Sequence, residues 1–564
     1  MRGYRSVLSS LLSLLLFLVA GVSVLPASAG AATDHKVSVA GPPTPYLPDA
    51  VNEPALAVDA NHPDVLAAGG NDLVDSSPCK GSSCDLTPDI GISGIYFSLT
   101  GGRSWVQPTY PHGLTAQSGT THIGPIHTLP NYFENGMSSH GDPALAFGPK
   151  PGPGGFSWAN GSRLYYANLA FPLTGQTPFK GSSAATVSRT DNVAAAAAGD
   201  QSAWMDPVVV SRQNAALLSD KEDIWADNAS SSRFFGNVYV CNTAFRAPSG
   251  KAQPIVLSAS SDGGSTWRQR QLTSAVSNAQ SGGRQGCAVR TDSTGVVYVV
   301  WEGTANGQSV MYLARSFDGG SNFDKPRPIA DVVDVGVFDA VSRRFVFDGF
   351  AGTRTDSFPS LSIANGAPDG AGASNTLVLT WPDARSGLNH EQALVQTSTD
   401  QGQTWSSPSN AAQAGDRPDN PAIAISPTGT DVYLVYNAYL QPFQRTTASP
   451  RNMQGVVRHA DVGAGGALSA WSTLHRGMVG DARGTTRTLN REAVYDYNFA
   501  AATRTYGAAV WMDVRNAADC PAVDAYRQSL IDGNPIAAPS PVTDCPPQFG
   551  NEDIFGGVFS DPTP

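Results

Sequence analysis

The stretch Ser260-Ser261-Asp262-Gly263-Gly264-Ser265-Thr266-Trp267 indicates how most of this chain folds. A short β-type run at 255–258 precedes it, and its two glycines accept the positive φ angles of a tight hairpin turn. The Asp262 carboxylate can accept backbone N–H groups further along the turn, and Trp267 places an apolar plate at the start of the next strand. The stretch therefore predicts a β-hairpin closed by an aspartate-capped turn.

The same pattern recurs, and its copies are Ser98–Trp105, Ser316–Phe323 and Ser398–Trp405. The aspartate and aromatic positions of the full copies are Asp262 and Trp267, Asp318 and Phe323, and Asp400 and Trp405. The copy at 98–105 has Thr100 in place of the aspartate. This Ser-x-Asp-x-Gly-x-Thr-Trp pattern resembles the Asp-box of the bacterial neuraminidase repeat, so nearly all of the mature chain resembles the sialidase-like β-propeller superfamily. The resemblance implies a structural turn remote from the active site, which indicates fold more than function.

A unit of three or four short strands recurs around these turns. Its starts lie near residues 52, 141, 220, 284, 356, 418 and 490, and its predicted first strands are 54–58, 143–147, 224–226, 287–289, 359–363, 421–425 and 493–495. A self-similar strand unit predicts an all-β propeller of four-stranded antiparallel blades. Seven modules predict seven blades. Because sialidases have six, an alternative with six blades and one edge extension stays open. The segment 553–559 is expected to close the ring against the first blade.

Composition and the N-terminus predict an exported protein. The net charge of −11 over 564 residues does not favour nucleic acid or an anionic membrane as partner. Residues 1–29 have the positive, apolar and small-residue regions of a signal peptide, 30–48 form a Pro-rich lead-in, and 49–564 form one propeller domain. No later apolar run has the length of a membrane span. We expect a secreted, extracellular monomer.

All six cysteines follow the signal segment, and an even number in an exported chain indicates disulfides. Fifteen pairings are possible, and we predict pairing between neighbours in the sequence. The predicted bridges are Cys79–Cys84, Cys241–Cys287 and Cys520–Cys545. A zinc site is the competing interpretation, but the chain has no Cys-x-x-Cys pair.

Antiparallel order predicts that residues at the start of the first strand of each blade lie on the face opposite the Asp-box turns. Acids, amides and arginines occupy these positions and the ends of the second strands, and this face is expected to bind the ligand. A structural role as turn caps and inter-blade ion pairs is the alternative for each residue.

The resemblance also implies a chemistry. Sialidases hold the sialic-acid carboxylate with three arginines and use a tyrosine paired with a glutamate as nucleophile and an aspartate as acid/base. By position in the ring, the binding arginines are Arg284, Arg354 and Arg417, and the catalytic candidates are Asp142 as acid/base, Glu222 as activating carboxylate, and Tyr495 or Tyr497 as nucleophile. The Phe/Tyr-Arg-Ile-Pro motif that supplies the family's first arginine is absent.

Three functions are compatible with the sequence. The first is an exo-acting glycoside hydrolase that acts on extracellular glycans or glycoproteins, including sialic-acid-containing ones, with no required cofactor. The second is a non-catalytic propeller that binds glycan or protein. The third is a scaffold stabilised by Ca²⁺, since an acidic ring offers the oxygen ligands that calcium prefers.

Overall fold

The computed structural model describes residues 33–39, 50–73, 76, 79–82, 84, 89–108, 135–211, 214–246, 253–278, 280–340, 344–350, 353–485, 489, 494 and 496–563. The signal segment 1–29 and much of the lead-in 30–48 lie outside these residues. So does Tyr495, one of the two candidate nucleophiles.

Seven antiparallel sheets follow one another along the chain, and each corresponds to one of the seven sequence modules. Before them comes β1 (His35–Lys36). Blade 1 contains β2 (Val51–Val58), β3 (Leu66–Asp72) and β4 (Ser93–Ser98). Blade 2 contains β5 (Met137–Ser139), β6 (Ala144–Gly152), β7 (Gly155–Pro172), β8 (Ala184–Thr190) and β9 (Trp204–Val209). Blade 3 contains β10 (Leu217–Ala226), β11 (Val238–Arg246), β12 (Ile255–Ser260) and β13 (Arg268–Gln271). Blade 4 contains β14 (Ser281–Thr291), β15 (Val297–Ala305), β16 (Gln308–Ser316) and β17 (Arg327–Asp331).

A separate hairpin of β18 (Val337–Asp339) and β19 (Arg344–Val346) connects blade 4 to blade 5. Blade 5 contains β20 (Ser360–Ile363), β21 (Leu377–Asp383), β22 (Gln392–Ser398) and β23 (Ser409–Asn410). Blade 6 contains β24 (Arg417–Ile425), β25 (Asp431–Tyr439), β26 (Asn452–Asp461), β27 (Ser472–Arg476) and β28 (Gly480–Asp481). Blade 7 contains β29 (Phe499–Ala502), β30 (Tyr506–Asp513) and β31 (Asp553–Ser560). The helices are α1 (Val193–Ala197) and α2 (Pro521–Ile531), and short 3-10 turns lie at Gln201–Ala203, Ala464–Gly466 and Ala482–Gly484. The fold is thus a seven-bladed β-propeller, and the six-bladed alternative is wrong.

The two ends of the chain close the ring together. The predicted closing segment forms β31, the third strand of blade 7, and β1 pairs with it as the outer strand. Val51 of blade 1 also donates its N–H to the carbonyl of Glu552 at 2.9 Å. Part of the segment assigned to the lead-in therefore belongs to the propeller itself.

One predicted strand is misplaced. The sequence puts the innermost strand of the last module at 493–495, whereas β29 begins at Phe499. Val494 has a φ of 54°, a left-handed conformation outside the β region. The segment 496–498 instead enters the centre of the ring ahead of the strand.

The apolar core is divided among the interfaces between neighbouring blades. One cluster packs Ala55 and Phe97 of blade 1 against Leu145, Tyr166 and Trp204 of blade 2, and similar clusters lie between the following blades. Each sheet therefore buries both of its faces, which explains why its strands carry apolar residues at successive positions.

The turns that follow the third strands share one hydrogen-bond pattern. In the first full copy, Ser260 Oγ donates to Asp262 Oδ1 at 2.8 Å, and the same oxygen accepts the N–H of Thr266 at 2.9 Å. Asp318 and Asp400 make the equivalent contacts. In the weaker copy Thr100 replaces the carboxylate, and its Oγ1 accepts the N–H of Ser104 at 3.0 Å. The four turns therefore serve to cap hairpins.

We expect Asp262→Ala to lower the free energy of unfolding by about 1–2 kcal/mol, because several turn donors lose their acceptor. Asp318→Ala and Asp400→Ala should behave alike, and Asp262→Asn should lose less because one acceptor oxygen remains. Denaturant titration measures the loss. A variant that unfolds like the wild type but no longer binds glycan would contradict a purely structural role.

The turns between first and second strands lie on the same face as these capped turns. Arg233, between β10 and β11, donates to the carbonyl of Phe317 in the capped turn of blade 4 at 2.7 Å. The starts of the first strands consequently lie on the opposite face, which we call the blade-start face. The predicted division of the two faces is confirmed.

The three predicted disulfides are all formed, between Cys79 and Cys84, Cys241 and Cys287, and Cys520 and Cys545. The second joins blade 3 to the innermost strand of blade 4, and the third brackets α2. In the described part of the chain, neither helix is long and apolar enough to span a membrane.

Candidate functional site

A left-handed residue recurs where the innermost strand begins in five blades. The φ angles are 50° at Glu53, 50° at Asp142, 59° at Lys221, 60° at Gly286 and 49° at Asn420. A non-glycine residue in this conformation costs about 1–3 kcal/mol, and such strain concentrates at functional sites. Four of the five positions nevertheless carry polar or charged side chains. In four of the five blades the left-handed residue lies at a β-bulge, a feature that redirects side chains and is common next to active sites.

These strand starts surround a buried cavity of about 80 Å³ on the blade-start face. Its polar lining includes residues from blades 2, 3, 5 and 7, which are Asp142, Lys221, Glu222, Asp356, Asp496 and Tyr497. Three catalytic candidates from the sequence, Asp142, Glu222 and Tyr497, thus lie around the same space.

Asp496 is the most heavily paired acid of the cavity. Its carboxylate binds Lys221 Nζ and Arg354 Nη2, and Arg354 Nε donates to its other oxygen at 2.7 Å. Burial alone raises the pKa of Asp496, but the charges of Arg354 and Lys221 outweigh it and lower the pKa to about 2. Asp496 is therefore ionised at neutral pH and links blades 3, 5 and 7.

Asp142 is in the opposite state. Burial and the nearby Glu53 carboxylate raise the pKa of Asp142 well above its ordinary value, and the two carboxyl groups are hydrogen-bonded to each other. Glu53 itself accepts from Asn71 Nδ2 at 2.6 Å and from the N–H of Asp496 at 3.1 Å, and these contacts hold its carboxylate in place beside Asp142. Asp142 can therefore act as a proton donor in the cavity.

Glu222 and Tyr497 have polar atoms with no partner. Neither carboxylate oxygen of Glu222 nor the Tyr497 hydroxyl has a hydrogen bond to any described residue, although all three atoms are buried. Burial, with the Asp220 charge, raises the pKa of Glu222 well above its usual range, and burial raises the pKa of Tyr497. Buried polar groups are nearly always satisfied, so these atoms are the ones placed to contact a ligand.

The three predicted binding arginines have separate sets of partners. Arg284 donates to the carbonyls of Ser274 and Val276 at 3.2 and 2.8 Å. Arg417 is buried and binds Glu391 and Asp348 at 3.0 and 3.1 Å. Only Arg354 reaches the acids of the cavity. The structure does not assemble the three guanidinium groups around one ligand position, because acceptors between blades 3 and 4 hold Arg284, and acceptors in blade 5 and in the segment before it hold Arg417.

The acids that neutralise Arg354 are distant in the sequence. Asp356 is only two residues from Arg354, but Asp496 and Glu53 form its ion pairs. Asp419 accepts from Thr355 Oγ1 at 2.8 Å. Lys221, Glu53 and Asp496 are site residues that the sequence analysis did not assign. The run Asp220-Lys221-Glu222-Asp223 at a strand start was the signal for Lys221.

The raised pKa values of buried acids predict a stability that falls as pH rises. Burial, with the Asp496 charge, raises the pKa of Asp356 to about 7, and burial raises that of Asp419 to about 7. Each group is stabilising in its protonated form, so its contribution is complete below the unfolded value of 3.8 and is lost as pH rises to about 7. Asp496, whose pKa is lowered, acts in the opposite direction and only below that unfolded value.

Denaturant unfolding at pH 4.5, 6 and 7.5 should therefore give steadily lower free energies of unfolding. Asp419→Asn removes one of the titrating groups and should flatten the dependence. A stability that rises over this range would contradict the assigned protonation states.

The centre of the ring is covered on the face of the capped turns. Residues 365–372, between β20 and β21, reach across it, and Pro368 accepts from Trp158 Nε1 at 3.1 Å and from the N–H of Ser230 at 2.9 Å. Between this loop and the site lies an apolar cavity of about 210 Å³, and the ion pair of Arg290 with Asp223 lines its boundary with the site. A ligand therefore reaches the site from the blade-start face.

The scaffold stabilised by Ca²⁺ stays a prediction. Among the described residues, one cluster of possible metal ligands, Asp431, His459, Asp461 and Asp561, has ligand atoms within 4.8 Å of one another. It lies at strand ends on the face of the capped turns, away from the cavity. His459 and Asp431 already bind each other at 3.1 Å.

No protein-family model matches the chain, and no curated protein matches it. The chain is similar in structure to sialidases. A Trypanosoma rangeli sialidase in complex with the inhibitor DANA matches at 11% identity and a TM-score of 0.37 over 69% of this chain and 53% of that one. The intramolecular trans-sialidase from Ruminococcus gnavus matches at 11% and 0.42, over 80% and 98% of the two chains.

An α-L-arabinofuranosidase from Fusarium graminearum also matches, at 11% identity and a TM-score of 0.38 over 76% of this chain and 94% of that one. This chain thus spans about half the length of the Trypanosoma sialidase. Identities and TM-scores of this size assign no activity, so the function has to be inferred from the cavity itself.

Proposed function

We propose that the protein is an exo-acting glycoside hydrolase of extracellular glycans and that its active site is the cavity on the blade-start face. The observation that supports this is the state of the acids around one small space. The pKa values of Asp142 and Glu222 are raised well above their ordinary values, whereas that of Asp496 is lowered to about 2. Carboxyl groups whose pKa values are driven apart are the usual acid and base pair of glycoside hydrolysis.

In this proposal Asp142 protonates the glycosidic oxygen as the bond to the anomeric carbon breaks. Glu53 fixes the orientation of the donor, because its carboxylate is itself held by Asn71 and by the backbone of Asp496. The ionised Asp496 lies among the cavity-lining residues and holds Lys221 and Arg354 in place there. The closed far end limits access to one side, which suits removal of a terminal sugar.

The group that attacks the anomeric carbon is either Tyr497 or a water, and its proton passes to Glu222, which can accept it only in its ionised form. A tyrosine nucleophile needs a base on its hydroxyl, and no hydrogen bond joins Tyr497 to Glu222 in the unliganded protein. The product distinguishes the two, because a covalent Tyr497 intermediate gives retention and direct attack by water gives inversion at the anomeric carbon. Proton NMR of the first-formed sugar measures this.

Sialic acid is one candidate for the terminal sugar. A sialyl carboxylate would need a cationic partner, and Arg354 could supply it only by sharing its contact with Asp496. A neutral sugar makes no such demand, since the protonated Asp142 and Glu222 can donate hydrogen bonds to hydroxyl groups. Sialosides and neutral glycosides are therefore both included in the test.

The deciding experiment is a screen of the exported chain against a glycan array and a panel of glycosyl fluorides, including sialyl, arabinofuranosyl and galactosyl forms. We expect release of the terminal sugar from at least one class. Binding without release would favour a non-catalytic glycan-binding propeller, an alternative that the internal pairing of Lys221, Arg354 and Asp496 also supports. Neither binding nor release would overturn both.

A further inference from the structure

Two phenylalanines lie exposed on the hairpin of β18 and β19. Phe338 and Phe345 pair directly across the two strands, and 56% and 47% of their surfaces are accessible. Their ring centroids are 5.9 Å apart with planes at 72°. The two rings thus form an open aromatic corner on one side of the hairpin.

The other side of this hairpin is anchored in the protein. Val346 is buried, and Val335 and Phe347, which flank the hairpin, are buried in the cluster that includes Tyr439. A hairpin with one face packed normally presents polar side chains on the other. Here large aromatic rings take those places, and an exposed apolar patch of this kind marks an interaction site.

The hairpin begins at the rim of the candidate active site. Val346 forms a β-bridge with Arg354, and the N–H of Phe347 donates to the carbonyl of Thr353 at 2.8 Å. The guanidinium of Arg354 in turn binds Asp496, which lines the cavity. The aromatic corner is therefore connected to the cavity through a single residue.

We propose that Phe338 and Phe345 bind the second sugar of a glycan whose terminal sugar occupies the cavity. This inference rests on the proposed function. The C–H face of a sugar ring packs on an aromatic plane, while its hydroxyl groups need polar partners at the edge. One such partner is close by, since Asp334 is exposed just before the hairpin.

A glycan fits this surface better than a second protein does. The aromatic area is limited to two rings, and the hairpin that carries them is joined through Arg354 to the site where the terminal sugar would bind. A stable protein interface requires a much larger area with an apolar centre. Self-association through the corner is nevertheless included below as an outcome.

The test compares two substrates with the same terminal sugar. A glycosyl fluoride has no second sugar, whereas the corresponding oligosaccharide does. The double variant Phe338→Ala/Phe345→Ala should raise KM for the oligosaccharide roughly tenfold and leave KM for the fluoride unchanged. Phe317→Ala is the matched control, because Phe317 is 44% exposed on the opposite face. It should change neither value.

An unchanged oligosaccharide KM, or an equal rise for both substrates, would overturn the inference while leaving the proposed hydrolase intact. If the wild type cleaves nothing, the proposed hydrolysis fails, and the array then tests the corner alone. Weaker oligosaccharide binding by the double variant supports it, and equal or absent binding overturns it. A wild-type dimer that the double variant converts to monomer in sedimentation would assign the corner to self-association instead.

Discussion

Asp496→Ala should lower the free energy of unfolding by about 3–5 kcal/mol, the usual cost of removing one partner from a buried ion-pair network. Lys221, which is only 7% exposed, loses its closest counter-charge, and Arg354 loses contacts from Nε and Nη2. The network joins three blades, and its Lys221 and Asp496 line the cavity of the candidate site. Denaturant titration at pH 7 measures the loss.

A second substitution shows whether stranded charge is the cause. If so, Lys221→Met added to Asp496→Ala should restore part of the lost stability, because the uncompensated ammonium group is removed. Arg504→Ala serves as a comparison, since Arg504 and Asp369 form an exposed ion pair whose loss should cost much less. A loss below about 1 kcal/mol for Asp496→Ala would show that water, not the protein, solvates these cations.

The pH dependence of the same network has a defined sign. The pKa of Asp496 is lowered in the fold, so its contribution is present above the unfolded value of 3.8 and is lost as pH falls toward 2. In Asp496→Ala this acid-induced loss should be smaller than in the wild type. The separate decline of stability between pH 4.5 and 7.5 should remain in the variant, because it arises from other acids such as Asp419.

The fold could be predicted from the sequence because its signals are local and repeated. The turn at Asp262 and its copies set the hairpins, and apolar runs such as those of β15 and β25 set the strands. The innermost strand of blade 7 was missed because the segment before Phe499 has no alternation to distinguish strand from loop. This segment brings Asp496 and Tyr497 to the cavity, and no local sequence pattern indicates that position.

The candidate site was predicted only in part, for a physical reason. Asp142, Glu222 and Tyr497 could be placed on one face by counting strands. The pairing of Glu53 with the backbone of Asp496 joins residues 443 positions apart and exists only because the ring closes. No local pattern carries that information.

Arg354 and Arg417 illustrate the same limit. Both precede an innermost strand, and the sequence therefore treats them alike. In the structure the segment after the β18–β19 hairpin supplies Asp348, which binds Arg417 and also Arg451 within a buried cluster. An insertion between blades, rather than the repeat itself, thus decides that Arg417 is structural and that Arg354 remains beside the cavity.

Asp142→Asn should reduce kcat by about 10²–10⁴-fold on substrates with a sugar leaving group, because the amide cannot give a proton to the departing oxygen. Stability should change little. The carboxyl of Asp142 is already protonated in the fold, the amide can donate to Glu53 in its place, and asparagine tolerates the φ of 50°. The change therefore separates chemistry from folding.

Two further measurements make this result specific to proton donation. The loss should be much smaller for the glycosyl fluoride, whose fluoride ion leaves with less help from an acid. Asp227→Asn is the matched control, since Asp227 is a buried acid on the opposite face whose pKa burial raises to about 7. It should keep full activity. An equal loss on the fluoride and the oligosaccharide would show that Asp142 orients the sugar rather than protonating the leaving group, and full activity of Asp142→Asn would exclude it from catalysis.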